Sequence, residues 1–297
     1  MPSPWQPLSG LFRLKLLRYV AILLVATACS SYVMALPNPR LPSPALDGDD
    51  NTLDAGSAAV APSFKPPNLN PTQIPTAYVA EWGNYFLSSS LYAYSQSNRA
   101  SIGVVDGSLN LGFGLGSSRR SVALELDFNL ESLADRGHGG SLDLRLGRQL
   151  IGSNDFALHL GAGWLGVASY GSWPQPGGSP YGILTAAWPL RPHNGPFRQT
   201  MQVNLGGGGG RFQRIDSVNL ISNGAIASVG VELTPNLGVS AGWAGRGLNA
   251  SISYVPLPST PLYLTLSGAN ISGVDGGGRA VAFSLSWGGS FRTASFP

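Results

Sequence analysis

Lysine is almost missing from this chain of 297 residues: Lys15 and Lys65 are the only two, and none follows them. Soluble β-proteins place lysine on exposed strand faces and edges to discourage unwanted pairing, so its absence speaks against that class. Charge of either sign is scarce. Charged residues make up 11% of the chain, against about 25% in ordinary soluble domains. Cysteine occurs once, at Cys29, which excludes an internal disulfide and a Cys-based metal cluster. No apolar run reaches the ~20 residues that a spanning helix needs. The net charge of +3 gives no basic patch: Arg13, Lys15 and Arg18 supply the excess, within a first 35 residues that contain no acid. Nothing therefore points to nucleic acid as a partner.

The amino terminus has the layout of an export signal. Basic residues at 13, 15 and 18 precede the apolar run Tyr19–Ala28, and a basic region before 7–15 apolar residues is that of a secretory signal peptide. Small residues at Val33-Met34-Ala35 favour cleavage before Leu36, so residues 1–35 are expected to be removed. Ala26-Thr27-Ala28-Cys29 offers a competing reading in which Cys29 is lipidated, and an uncleaved anchor is a third. Residues 36–76 are dense in proline (37, 39, 42, 44, 62, 66, 67, 71 and 75) and lack an apolar period. Such a segment buries too little to fold and is expected to be a disordered linker. A plug or docking role for it has no support in the residues.

Glycine is abundant, at 40 residues, where roughly 7% of an average chain is glycine. From residue 77 onward strict alternation replaces any helical period. In Ser121–Leu130, Val122, Leu124, Leu126, Phe128 and Leu130 face one way, while Ala123, Glu125, Asp127 and Asn129 face the other. The pattern recurs about twelve times, over 83–95, 107–116, 120–130, 140–149, 155–168, 180–188, 197–206, 224–233, 237–245, 248–256, 260–267 and 279–287. Most runs are close to the 9–11 residues with which a tilted strand crosses a bilayer. The connections almost alternate between long and short: Arg246-Gly247 breaks the rule, and 189–196 is of middling length and fits neither class. The fold class is thus all-β: a transmembrane, antiparallel, up-and-down β-barrel of about 12 strands over residues 77–290, with a tail at 291–297. Long loops on one side and short turns on the other are the mark of outer-membrane barrels. An even strand count puts both barrel ends, and the linker, on the periplasmic side.

The glycine-rich hairpins L-G-V-S-A-G-W-A-G-R-G-L-N-A-S-I-S-Y (237–254) and P-L-Y-L-T-L-S-G-A-N-I-S-G (261–273) resemble those of outer-membrane β-barrels of Gram-negative-type bacteria, the poorly characterised cyanobacterial ones above all. The resemblance covers about residues 77–290 and carries no functional motif. It implies membrane lipid, lipopolysaccharide and the barrel-assembly machinery as partners. Such barrels often end in an aromatic residue that this machinery reads; here Phe296 stands one residue early.

Charges inside an alternating strand are expected to face the lumen, because in lipid each costs up to ~2–4 kcal/mol at the midplane. Glu125, Asp127, Asp143, Arg145, His159, Arg198 and Glu232 are the predicted lumen-facing residues, with Arg145 within reach of Glu125 or Asp127. Trp82, Trp188 and Trp287 are expected at the periplasmic interface, and Trp164 and Trp243 nearer the outer one. The inward face is otherwise Gly, Ser and Asn. That suits a narrow porin-like passage for small solutes; the alternative is a structural or surface-interaction barrel with a filled lumen. No cofactor and no metal are called for, and the chain does not read as an enzyme. Gly238-Val239-Ser240-Ala241-Gly242 matches G-x-S-x-G, yet Ser240 lies within an alternating strand, without the helix a nucleophile elbow needs. The glycines at 206–210 lack a following helix and read as a flexible outer loop. His138, His159 and His193 are far apart. A barrel-embedded lipid hydrolase rests only on His138 with Asp135 or Ser141, and a soluble secreted β-protein is the competing architecture.

Overall fold

The computed structural model describes residues 74–95, 102–133, 139–171, 178–191, 197–215, 220–222, 224–257, 261–273 and 279–291. The strands are β1 (Asn84–Ser95), β2 (Ile102–Gly116), β3 (Ala123–Leu130), β4 (Gly139–Gly152), β5 (Ala157–Gly171), β6 (Ser179–Pro189), β7 (Thr200–Gly208), β8 (Arg214–Ile215), β9 (Leu220–Ser222), β10 (Gly224–Thr234), β11 (Leu237–Ala244), β12 (Leu248–Tyr254), β13 (Leu262–Ala269) and β14 (Arg279–Ser290). Twelve of them form one closed antiparallel barrel, in which β1 pairs with β14 from Asn84↔Ser290 to Ser95↔Arg279. The short pair β8–β9 sits apart, in the connection between β7 and β10.

One end of the barrel carries the start of β1, the end of β14 and the connections 117–122, 153–156, 190–199, 235–236 and 255–261. The other carries 96–101, 131–138, 172–178, 209–223, 245–247 and 270–278. These are called the turn end and the loop end below.

The alternation of the sequence becomes an inside and an outside. In β3, Ala123, Glu125 and Asp127 are 0%, 3% and 4% exposed, while Phe128 on the other face is 47% exposed. Leu111, Leu160, Leu205, Leu266 and Val281 repeat the outward pattern around the wall; Asn204, Ser253 and Thr265 repeat the inward one. The protein is therefore apolar outside and polar inside. Soluble monomers rarely expose contiguous apolar patches beyond a few hundred Å², and this belt follows the whole circumference. Closure removes every strand edge, so the wall's backbone groups are paired within the sheet, as hydrocarbon surroundings demand.

Some expectations change. Strand β7 starts at Thr200, three residues later than the alternation suggests, because the chain turns through a positive φ of 51° at Gln199 before joining the sheet. Arg198 consequently lies in the turn-end connection and not in the lumen. The glycines at 206–210 are not simply a loop. Gly206–Gly208 belong to β7, and a 3₁₀ turn at Gly210–Phe212 folds inward. Trp164 stands midway along β5, which runs seven residues beyond it to Gly171. Its indole still borders Gly178, just before the start of β6 at the loop end.

The lipid-facing assignment predicts that Leu266→Arg lowers stability by about 2–4 kcal/mol. Leu266 is mid-strand and half exposed. Urea unfolding of the barrel refolded into phosphatidylcholine vesicles measures this. Ser267→Ala, one residue on and facing inward, is expected to shift the midpoint far less.

Candidate functional site: an occupied lumen

The cross-strand register places Ala123, Gly147, Gly161, Ile183, Gly206 and Ile226 on one continuous row across β3, β4, β5, β6, β7 and β10. Ala123 opens β3 at the turn end. The next member of the row, Ala244, closes β11 at the loop end. The row therefore climbs through the barrel, a consequence of strand tilt. Its first three positions carry a methyl group or no side chain at all, which leaves a groove on the inner wall.

The segment Ile74–Trp82 lies in that groove. A Cβ on Gly114 would fall 2.3 Å from the Ala80 carbonyl carbon, on Gly147 2.7 Å from the Ala77 oxygen, and on Gly161 2.7 Å from the Ala77 Cα. These neighbours are backbone, which cannot swing aside as a flexible side chain would. Ala77 is 0% exposed. The reading of residues 36–76 as linker thus stops short of the structure: Ile74, Pro75 and Thr76 are inside the barrel, and residues 36–73 lie outside the described residues.

Wall side chains satisfy the strap's backbone. The Ala77 N–H donates to Thr185 Oγ1 at 2.8 Å, and Thr185 in turn donates to Asn204 Oδ1 at 2.7 Å. The Ala80 N–H donates to Glu125 Oε2. Arg145 forms an ion pair with the other oxygen of Glu125. It also donates to the Tyr181 hydroxyl at 3.1 Å and reaches the carbonyls of Thr76 and Tyr78, each at 3.4 Å. The Tyr78 ring meets His159 edge-on, with centroids 4.8 Å apart. At the turn end Glu81 accepts from the N–H and hydroxyl of Ser118, and the Trp82 N–H donates to the Gly116 carbonyl.

At its upper limit the strap meets an apolar cluster. Ile74 packs with Tyr181, Ile183, Phe212 and Ile226. Phe212 enters from the loop end and is 1% exposed. Its seat depends on glycine: a Cβ on Gly224 would lie 1.4 Å from the Phe212 carbonyl oxygen, and one on Gly245 1.8 Å from it.

Of the other residues singled out above, Asp127 is buried opposite Asp143 in the β3–β4 register. Asp143 accepts from the Gly166 N–H and from Asn129 at 3.0 Å. Glu232, close to the turn end of β10, accepts from the Thr200 N–H at 3.1 Å. Arg198 instead pairs with Asp155 at 2.7 Å, across two turn-end connections, where the Asp155 side chain is 72% exposed. Ser240 sits within β11 and exchanges a 2.7 Å hydrogen bond with Ser251. Ser141 is buried and donates to Glu131 at 2.8 Å, whereas Asp135, His138 and His193 lie outside the described residues, as does Cys29. Trp82 is half exposed at the turn end and meets Phe291 edge-on at 5.8 Å. Trp188 and Trp287 lie toward the same end, and Trp243 lies at the loop end of β11.

The fold is a closed twelve-stranded antiparallel barrel with an apolar outer face and a polar inner one. No protein family matches the sequence, and no curated protein does. Among solved structures the chain is similar to the KdgM porin at 6% identity, covering 68% of this chain and 98% of that one, with a TM-score of 0.42. It is also similar to the COG4313 outer membrane channel from Pseudomonas putida F1, at 13% identity, 74% and 100% coverage and a TM-score of 0.40. A third is the outer membrane protein Omp33 of Acinetobacter baumannii, at 7% identity, 69% and 97% coverage and a TM-score of 0.39.

The groove predicts a sharp contrast between two glycines. Gly161→Val drives a side chain into Ala77 and is expected to expel the strap, making a cysteine at position 78 reactive to maleimide in the folded barrel. Gly182, on the outer face of the neighbouring β6, has nothing within 4 Å of an added Cβ, so Gly182→Val leaves position 78 protected.

Proposed function

We propose that this protein is an outer-membrane barrel whose passage is closed from within by its own residues 74–82, and that small solutes cross only when this strap leaves its groove. The observation that carries the reading is the full burial of Ala77 against the inner wall, with its N–H satisfied by Thr185. The far wall supports it. Ser228, Ser251, Ser253, Thr265, Ser267 and Ser284 face inward and are all nearly buried. Their hydroxyls bond within the wall: Ser251 with Ser240, Ser284 with Ser90 at 2.8 Å, Ser253 with Thr265 at 3.4 Å, and Ser228 accepts from Asn204 at 2.8 Å. Hydroxyls lining a wide water-filled channel would be solvated instead.

Barrel closure and the apolar belt support the membrane location, since only helices and closed barrels satisfy their backbones in lipid. The longer connections favour the loop end as the outer side. Phe212, descending from that end onto Ile74, gives the closed passage a second obstruction. The charges bound to the strap, Glu125 and Arg145, become free to line the opening once it leaves, and selectivity then follows their balance.

Conductance in planar bilayers tests this. The full chain is expected to pass current close to background, and deletion of residues 74–80 to raise it several-fold. Gly161→Val, which keeps the chain length, is expected to raise it in the same direction. An intact chain that already conducts as an unobstructed pore, with both variants unchanged, would refute the self-closure.

A further inference from the structure

We infer that the barrel is a conduit for its own amino-terminal segment: the chain before Ile74 leaves by the loop end, so that the proline-rich residues 36–73 are displayed on the side opposite the two barrel termini. The direction of the strap carries the inference. Read from its carboxyl end, Trp82 is bonded to Gly116 and Glu81 to Ser118, both at the turn end. Ala80 lies over Gly114 and bonds Glu125, the third residue of β3. Ala77 lies over Gly147 and Gly161, two and three strands further round. Ile74 packs on Ile183 and Ile226, four and six strands round the barrel from Gly114. These contacts follow the register row that starts at the turn end of β3 and finishes at the loop end of β11, so every step backward along the strap is a step upward.

Little of the climb then remains. Ile226 is two residues from Gly224, where β10 begins at the loop end, a rise of about 7 Å at ~3.3 Å per residue. Two or three extended residues before Ile74 cover that distance. Return to the turn end would require a second pass through a lumen whose groove is already taken. The sequence is poorly suited to such a reversal: no glycine occurs between Gly56 and Gly83, and prolines at 62, 66, 67, 71 and 75 stiffen the path. A one-way path needs neither a turn nor a second groove.

The display of residues 36–73 outside the cell rests on the outer-membrane orientation proposed above, whereas the threading does not, and one labelling experiment separates the two. Single cysteines are placed in the full chain at Ser63→Cys in the proline-rich segment, Ser272→Cys as a loop-end marker and Asn154→Cys as a turn-end marker; both marker positions are exposed. The unsubstituted chain measures any background from Cys29. A membrane-impermeant maleimide is applied to intact cells and again after the outer membrane is permeabilised. Threading predicts that Ser63→Cys labels together with Ser272→Cys in intact cells, while Asn154→Cys labels only after permeabilisation. Labelling of Ser63→Cys together with Asn154→Cys, or of Ser63→Cys only once the barrel is unfolded, would overturn the threading. Should the two markers exchange their order, the orientation fails, and the threading is still judged by the marker that position 63 follows.

Discussion

The contact on which the rest of the lumen depends is the one between Glu125 and Arg145. Both belong to the wall, on neighbouring strands and in direct register, and both also bond the strap. A buried ion pair is a poor source of net stability, because desolvation of its charges costs about as much as their attraction returns. Its use here is positional. One carboxylate oxygen holds the guanidinium and the other takes the Ala80 N–H, while the guanidinium reaches two carbonyls. Together these contacts fix residues 76–80 at both ends of the ion pair. The Glu125 side chain is 4% exposed and that of Arg145 21%, so loss of Arg145 would leave Glu125 charged and buried, a cost of about 3–5 kcal/mol.

Glycine supplies the space and the charged pair supplies the register. Gly114, Gly147 and Gly161 come from three different strands, yet each places bare backbone against the backbone of the strap. Apolar side chains cannot do this work in the barrel, since most of them face outward. The interior therefore lacks the interlocking core of a soluble protein. It is replaced by a groove, a bonded segment and one small apolar knot of Ile74, Tyr181, Ile183, Phe212 and Ile226.

The barrel was highly legible in the sequence and its filling was not. Alternation in runs such as 121–130 depends on a period of two alone, so both the strand positions and the inward face of Glu125 and Asp127 follow from local pattern. The pairing of Arg145 with Glu125 follows from adjacency of consecutive strands in an up-and-down meander. The strap escapes this reasoning because Ile-Pro-Thr-Ala-Tyr-Val-Ala-Glu-Trp has no period of its own; its conformation is dictated by a groove assembled from residues 32 to 152 positions away in sequence. Arg198 lies outside its expected strand for the opposite reason. Its alternation with its neighbours is real but local, and the turn through Gln199 starts the strand after it. A trace of the groove was present in the inward glycines of β2, β4 and β5, which read as room for water when the chain itself takes the room.

Barrel size makes that outcome intelligible. About eight strands give an interior that side chains alone can fill. Twelve strands, lined as here by Gly, Ala, Ser, Thr and Asn, enclose more than their own side chains occupy, and the difference goes to water or to another piece of chain. A piece of chain brings backbone N–H and C=O groups that each need a partner once water is displaced. The inward polar residues meet that need group by group: Thr185 for Ala77, Glu125 for Ala80, Arg145 for Thr76 and Tyr78. Charges that would be expected merely to line a pore are, in the closed barrel, the hydrogen-bonding complement of a segment whose backbone bridges the sheet at a single point, Trp82 to Gly114. The polar interior is thus the binding surface of the strap, satisfied group by group along its length.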